Sequence, residues 1–127
     1  MGLSALAVFP LVYLATPYSK YAAGLEHAAR DATILAARLA EAGIRTFSPI
    51  VYSHALAQRS NIPERNHEFW LWLDQPFMDA SEALMVAHMA GWEESFGIGE
   101  EIKEFKRHRK PVFHLNPVTM ELVDEPE

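Results

Sequence analysis

The segment Gly91-Trp92-Glu93-Glu94-Ser95-Phe96-Gly97-Ile98-Gly99-Glu100-Glu101-Ile102 concentrates residue types that can do chemistry. Gly97 and Gly99 stand between an apolar run and an amphipathic one. Glycines there let a backbone approach a ligand closely and turn amide hydrogens of a helix start toward an anion. Ser95 adds a hydroxyl. Glu101 falls, by this reading, in the first helical turn, where the helix dipole favours an ionised carboxylate. An ionised carboxylate facing a pocket is a candidate nucleophile or electrostatic stabiliser. The plainer alternative makes Glu100 and Glu101 ordinary first-turn acids, stabilising the helix by about 0.3–1 kcal/mol each. The spacing is neither of two common phosphate motifs. Ile102 occupies the third glycine position of G-x-G-x-x-G, and no Lys-Ser or Lys-Thr follows as in a P-loop.

Other polar residues are weaker candidates. Tyr18 and Ser19 could contact a ligand or simply form a turn. His54 follows a strand end and could line a pocket, although a surface imidazole is the commoner outcome. His88 lies at the end of an apolar run, where a ligand role is open. His27, His67, His108 and His114 have no spacing of a metal site, and there is no H-E-x-x-H. The chain has no cysteine, which removes disulfides, thiol nucleophiles and zinc-thiolate centres. We expect neither metal nor cofactor.

These residues need a scaffold, and the apolar pattern supplies one. Leu11 to Ala15 reads as a buried strand, followed by a Thr16–Ser19 loop. Leu25, Ala28, Ala29, Ala32, Leu35, Ala36 and Leu39 recur at helical spacing, and Gly43 stops that helix. Arg45–Ser48 reads as a second strand closed by Pro49. Residues 50–63 read as irregular, with a helical turn near His54–Gln58. Trp70, Leu73 and Phe77 mark a helix from about Glu64 to Asp79. Ala83–Ala87 is a third strand, and His88–Phe96 a loop. Ile98, Ile102 and Phe105 give one face of the next helix, and Pro111–Leu115 a fourth strand. Strands alternating with helices imply a mainly parallel sheet covered on both faces. Ligands then bind outside the carboxyl ends of the strands, here Thr16–Ser19, Ser48–His54 and His88–Gly99.

The chain's 127 residues fit one domain, residues 1–127, with a core at 11–116 and an acidic tail, 117–127, expected to fray. A half-apolar composition excludes intrinsic disorder. The net charge of −6 argues against duplex nucleic acid as partner. Residues 3–15 are apolar but lack a basic flank and contain Pro10, so they suit neither a signal peptide nor a membrane span. We expect a cytoplasmic protein without membrane association, its first strand preceded by a short apolar arm.

In its motifs the chain resembles the nucleoside 2-deoxyribosyltransferase-like superfamily across roughly residues 11–116. The matching features are Val12-Tyr13-Leu14 on strand one, a long first helix, Leu73-Asp74 before the third strand, Ser95-x-Gly97-x-Gly99-x-Glu101, and Lys110-Pro111-Val112. The resemblance implies a Rossmann-like or flavodoxin-like three-layer sandwich with a small sheet of four to five strands. It implies cleavage of the N-glycosidic bond of a nucleoside or nucleoside 5′-monophosphate, by hydrolysis or transfer. Glu101 would attack C1′, Asp74 would protonate the departing base, and Tyr13 would position Glu101. Ser95, with the amides of Gly97 and Gly99, would hold a 5′-phosphate, and Ser95 in particular is similar to the monophosphate branch. Thr16, Tyr18 and Ser19 would add binding contacts, while Trp92, His54 and His88 could line the pocket. Trp92 could stack on a base or pack on a partner subunit. Trp70, Trp72 and Phe77 would provide the apolar surroundings that keep Asp74 protonated. The resemblance also implies a homodimer or larger assembly, with the N-terminal arm and Trp92 as interface surface. The sequence departs from the family pattern in its first loop, Thr16-Pro17-Tyr18-Ser19-Lys20, and in the added Gly91-Trp92-Glu93-Glu94. These departures leave open a non-catalytic nucleotide-binding or sensing domain on the same fold.

Overall fold

The computed structural model describes residues 1–126. It contains five strands, β1 (Val12–Ala15), β2 (Thr46–Phe47), β3 (Ala83–Ala87), β4 (Val112–Asn116) and β5 (Glu121–Val123). Four α-helices connect them: α1 (Leu25–Glu41), α2 (Pro49–Gln58), α3 (His67–Ala80) and α4 (Phe96–Arg107). Short 3-10 turns lie at Leu3–Val8 and Trp92–Glu94. The sheet order is β2-β1-β3-β4-β5, parallel except for the last pair. No helix among the described residues is long and apolar enough to cross a membrane.

β1 and β3 are buried along their whole length, as two-sided covering of a central parallel strand requires. Alternate residues face two separate cores. Val12, Leu14, Met85, Ala87 and Leu115 pack under Leu35 and Leu39 of α1. Tyr13, Ala15, Leu84 and Val86 pack under Met78 of α3 and Ile98 and Phe105 of α4. This is the expected three-layer α/β arrangement. Chain order reverses between β1 and β3, so the crevice at their carboxyl ends is the topological switch point.

Several sequence expectations change. Residues 49–58 form α2 rather than irregular chain. Ser48 caps the helix, its Oγ accepting from Val51 N–H at 3.3 Å, and Pro49 sits at the first helical position. Proline there has lost only an amide hydrogen that would have had no intrahelical acceptor, so Pro49 starts a helix as well as ending a strand. The acidic tail is not frayed throughout. β5 pairs antiparallel with β4, Leu115 opposite Leu122. Asn116 Oδ1 holds the intervening turn through Val118 and Thr119 N–H, while Met120 and Leu122 pack on the α1-side core. The N-terminal arm also folds inward, burying Leu6 completely, although Met1 and Val8 remain exposed. Finally, α3 begins at His67 rather than near Glu64, because Asn66 caps it by accepting from Phe69 N–H at 3.2 Å.

Candidate active site

A cleft opens at the carboxyl ends of β1, β2 and β3. Thr16, Tyr18 and Ser19 enter it from the loop after β1, and Ile50, Ser53 and Ala57 from α2. Trp70, Leu71 and Asp74 come from α3. Ser95, Gly97, Ile98 and Glu101 come from the start of α4. Of the residues singled out in the sequence, Thr16, Tyr18, Ser19, Asp74, Ser95, Gly97 and Glu101 therefore meet in one place. Tyr13 lies below it in the second core, fully buried.

Glu101 lies beyond the first turn that follows the Ser95 cap, so it is in the second turn of α4, and the helix has no acid in its first turn. The expected dipole effect, which fades after the first turn, is not what sets its charge. Glu101 is 6% exposed and Asp74 5%. Burial pushes Glu101 up to about 8, the charge of Asp74 adds to this, and the Tyr13 hydroxyl opposes it. Burial alone pushes Asp74 up to about 7. Tyr13 is held far above its ordinary range by burial first and then by the neighbouring Glu101 and Asp74 charges. The three groups are thus one coupled cluster, and its two carboxyls lose protons as a pair. Burial, rather than the helix dipole, therefore governs Glu101, and it lifts both carboxyls of the pair.

The cleft offers ligands several open polar atoms. Asp74 Oδ1 and Thr16 Oγ1 in the lining, and the Tyr13 hydroxyl below it, are buried without a hydrogen-bond partner among the described residues, and such atoms in native structures call for an explanation. Ser95 Oγ accepts from Ile98 N–H at 3.2 Å, leaving its own hydroxyl hydrogen to donate. Gly97 N–H is among the first-turn amides of α4, which have no acceptor within the helix. Gly99 differs from the expectation. Its N–H already bonds the Ser95 carbonyl at 3.1 Å, and it does not line the cleft. Among the described residues no lysine or arginine lines the cleft, whereas Glu64 joins Asp74 and Glu101 there.

His54, His88 and Trp92 lie outside the lining. His54 is buried rather than a surface imidazole, and it supports the cleft wall by bonding the Tyr18 hydroxyl through Nδ1 at 2.6 Å. His88 and Trp92 stack on each other with ring centres 4.2 Å apart, and His88 Nε2 meets His114 Nδ1 at 2.8 Å. Neither reaches the cleft lining. Of the expected apolar surroundings, Trp70 does line the cleft, with its Nε1–H on the Pro63 carbonyl at 3.0 Å. Trp72 points away and is 69% exposed. Phe77 stacks on Phe47 at 4.1 Å in the core beneath. Away from the cleft lining, Asp79, Glu104 and His108 bring potential metal-ligating atoms within 4.8 Å of one another. The Gln75 amide already donates to both carboxylates there, and Arg107 donates to Glu104.

A family model described as a domain of unknown function (DUF1937) matches residues 10–116. The chain belongs to the DUF1937 family. The matched segment contains every element that borders the cleft, from β1 through α4, and extends through β4. No curated protein matches the chain. Several cleft residues of this DUF1937 chain carry no signal in the sequence alone. Ile50, Ser53 and Ala57 are hidden there because α2 reads as irregular. Glu64 and His67 fall at the edge of the α3 pattern with nothing to mark a site. The Ser48-Pro49 pair is the available clue, since Ser followed by Pro is a helix-start pattern.

Proposed function

We propose that this chain is a member of the nucleoside 2-deoxyribosyltransferase-like superfamily that cleaves the N-glycosidic bond of a nucleoside or nucleoside 5′-monophosphate. The observation that carries this reading is the convergence of Glu101 and Asp74 in the switch-point cleft, with Tyr13 buried below them and both carboxyls lifted toward neutrality. Such a pair holds one proton across the neutral range. N-glycosidic cleavage passes through an oxocarbenium-like state that one carboxylate traps while an acid protonates the leaving group. Glu101 attacks C1′ and Asp74 delivers the proton to the base. This requires the proton that the pair shares to sit on Asp74 when substrate binds. Positive charge developing at C1′ and the Tyr13 hydroxyl both favour ionised Glu101. An acidic cleft without lysine or arginine among its described lining residues supports the uncharged nucleoside over the monophosphate, whose phosphate would rely on uncharged donors such as Ser95 and the Gly97 amide.

The test is release of free base from a panel of nucleosides and 5′-monophosphates by the purified protein. Glu101→Gln is expected to lower turnover at least about 1,000-fold while the fold persists, as loss of a covalent nucleophile does. Full activity in that variant refutes the nucleophile. One observation favours a second reading, a non-catalytic nucleoside-binding domain: burial raises Glu101 and so opposes its ionised, nucleophilic form. That reading requires saturable binding with no base released from any member of the panel.

A further inference from the structure

Behind the cleft wall, a hydrogen-bond chain runs outward from Tyr18. The Tyr18 hydroxyl meets His54 Nδ1 at 2.6 Å, and His54 Nε2 meets Glu26 Oε1 at 3.3 Å. Gln58 also donates to that Glu26 oxygen. Glu26 stands on α1 with its side chain 72% exposed, and it is not part of the cleft lining. An ionised carboxylate can only accept hydrogen bonds, so His54 Nε2 carries a hydrogen. In neutral imidazole the other nitrogen, Nδ1, is then the acceptor. With His54 neutral, the Tyr18 hydroxyl donates to it. With its hydrogen committed to His54, the Tyr18 oxygen has only lone pairs left for a further partner.

The residues that share the lining with Tyr18 suggest what this oxygen would meet. Through His54, Tyr18 is tied to α2, which supplies Ile50 and Ala57, and these with Trp70 and Leu71 form the apolar part of the lining. A flat aromatic base suits that wall. The polar Ser95–Gly97 end suits the sugar's 5′ side. Resting on the reading of an N-glycosidic substrate, we propose that Tyr18 recognises an exocyclic amino group of the base, with His54 and Glu26 as positioning residues that fix Tyr18 as an acceptor. A base carrying an oxo group at that position would set two acceptors face to face. A site built for a donor discriminates strongly against an isostere that lacks it, because its own buried polar atom is then left unpaired.

The experiment compares matched pairs, cytidine with uridine and adenosine with inosine, in both ribose and 2′-deoxyribose forms, near neutral pH. Base release gives kcat/KM, and equilibrium binding to Glu101→Gln gives Kd. Wild-type protein is expected to favour the amino member of at least one pair about tenfold or more in both readouts. Tyr18→Phe removes the acceptor and is expected to collapse the preference. The decisive variant is Glu26→Gln, at an exposed position outside the cleft. Its amide can donate to Nε2, which lets Nδ1 become a donor and turns the Tyr18 hydrogen toward the cleft. The preference is expected to shrink to near parity or reverse, with the thermal midpoint unchanged. Cleavage or binding without amino preference, or a preference that Glu26→Gln leaves intact, overturns this proposal while leaving the N-glycosidic reading standing. Failure to bind or cleave any nucleoside overturns both.

Discussion

Asp74→Asn tests whether the cleft keeps its carboxyls protonated, independently of any substrate. Burial raises Asp74 from its usual 3.8 to about 7. At about 1.36 kcal/mol per pH unit, holding this group ionised in the native state costs up to about 4 kcal/mol. The direction follows from proton counting. Below pH 3.8 both folded and unfolded chains hold the proton, and Asp74 contributes no penalty. Between 3.8 and about 7 the unfolded chain has lost the proton and the native chain keeps it, so native stability falls as pH rises. Above about 7 both are ionised and the loss is complete. The carboxamide of the Asp74→Asn variant never ionises and avoids this loss. The stability difference between variant and wild type is therefore expected to grow by up to about 4 kcal/mol from about pH 4 to pH 8, in favour of the variant. Urea denaturation at closely spaced pH values measures it, and carbon NMR of the side-chain carboxyls follows the titrations directly. In the variant, Glu101 loses the charge that helps raise it and is expected to titrate lower than in wild type. Parallel stability curves for the two proteins across this range would refute a protonated, desolvated Asp74.

Three further substitutions test separate parts of the structure. Tyr13→Phe removes a buried hydroxyl that lacks a hydrogen-bond partner among the described residues. It is expected to move the Glu101 titration upward, followed by carbon NMR of the side-chain carboxyls, because that hydroxyl opposes the shift. Leu6→Ala empties a fully buried position in the N-terminal arm and is expected to cost about 2–5 kcal/mol in urea denaturation. No change there would mean the arm does not belong to the core. Ser48→Ala removes the α2 cap and is expected to cost about 1 kcal/mol, with the largest loss of amide protection at Val51.

The fold is legible in the sequence where one physical signal dominates. β1 and β3 are apolar without interruption, and α1 repeats its apolar face for 17 residues before Gly43 enters a positive φ of 84°. α2 is not legible because its residues are apolar on more than one side, which blurs helical periodicity, and because Pro49 reads as a stop before its cap is considered. β5 is obscured by acidic neighbours, though Met120 and Leu122 alternate as a half-buried strand should. At the cleft, residue types and spacing bring out Ser95, Gly97 and Glu101, and the resemblance adds Asp74 and Tyr13. Sequence spacing does not reveal the environment these groups share. Glu101 looks like a helix-start acid when counted from the glycines. Counted from the Ser95 cap, it falls one turn deeper, where desolvation governs it. Likewise, nothing in the separation of Tyr18, His54 and Glu26 along the chain announces a hydrogen-bond relay, because three different elements deliver them.

The acidity of the cleft, unfavourable for a phosphate, has a consequence on the proposed reading. An oxocarbenium-like transition state is more positive at C1′ than the bound substrate. Carboxyls held near neutrality by burial interact weakly with the neutral substrate. As positive charge develops, ionised Glu101 is stabilised in a site where water does not screen it, and the proton is driven to Asp74 and on to the departing base. The interaction strengthens only along the reaction path, which is the condition for lowering the barrier rather than merely tightening binding. A lysine or arginine in the lining would hold Glu101 ionised in the resting state, but it would also oppose the developing cation. A lining without these side chains among the described residues therefore suits carboxylate chemistry on an uncharged nucleoside, and it sets this cleft apart from one built around a phosphate.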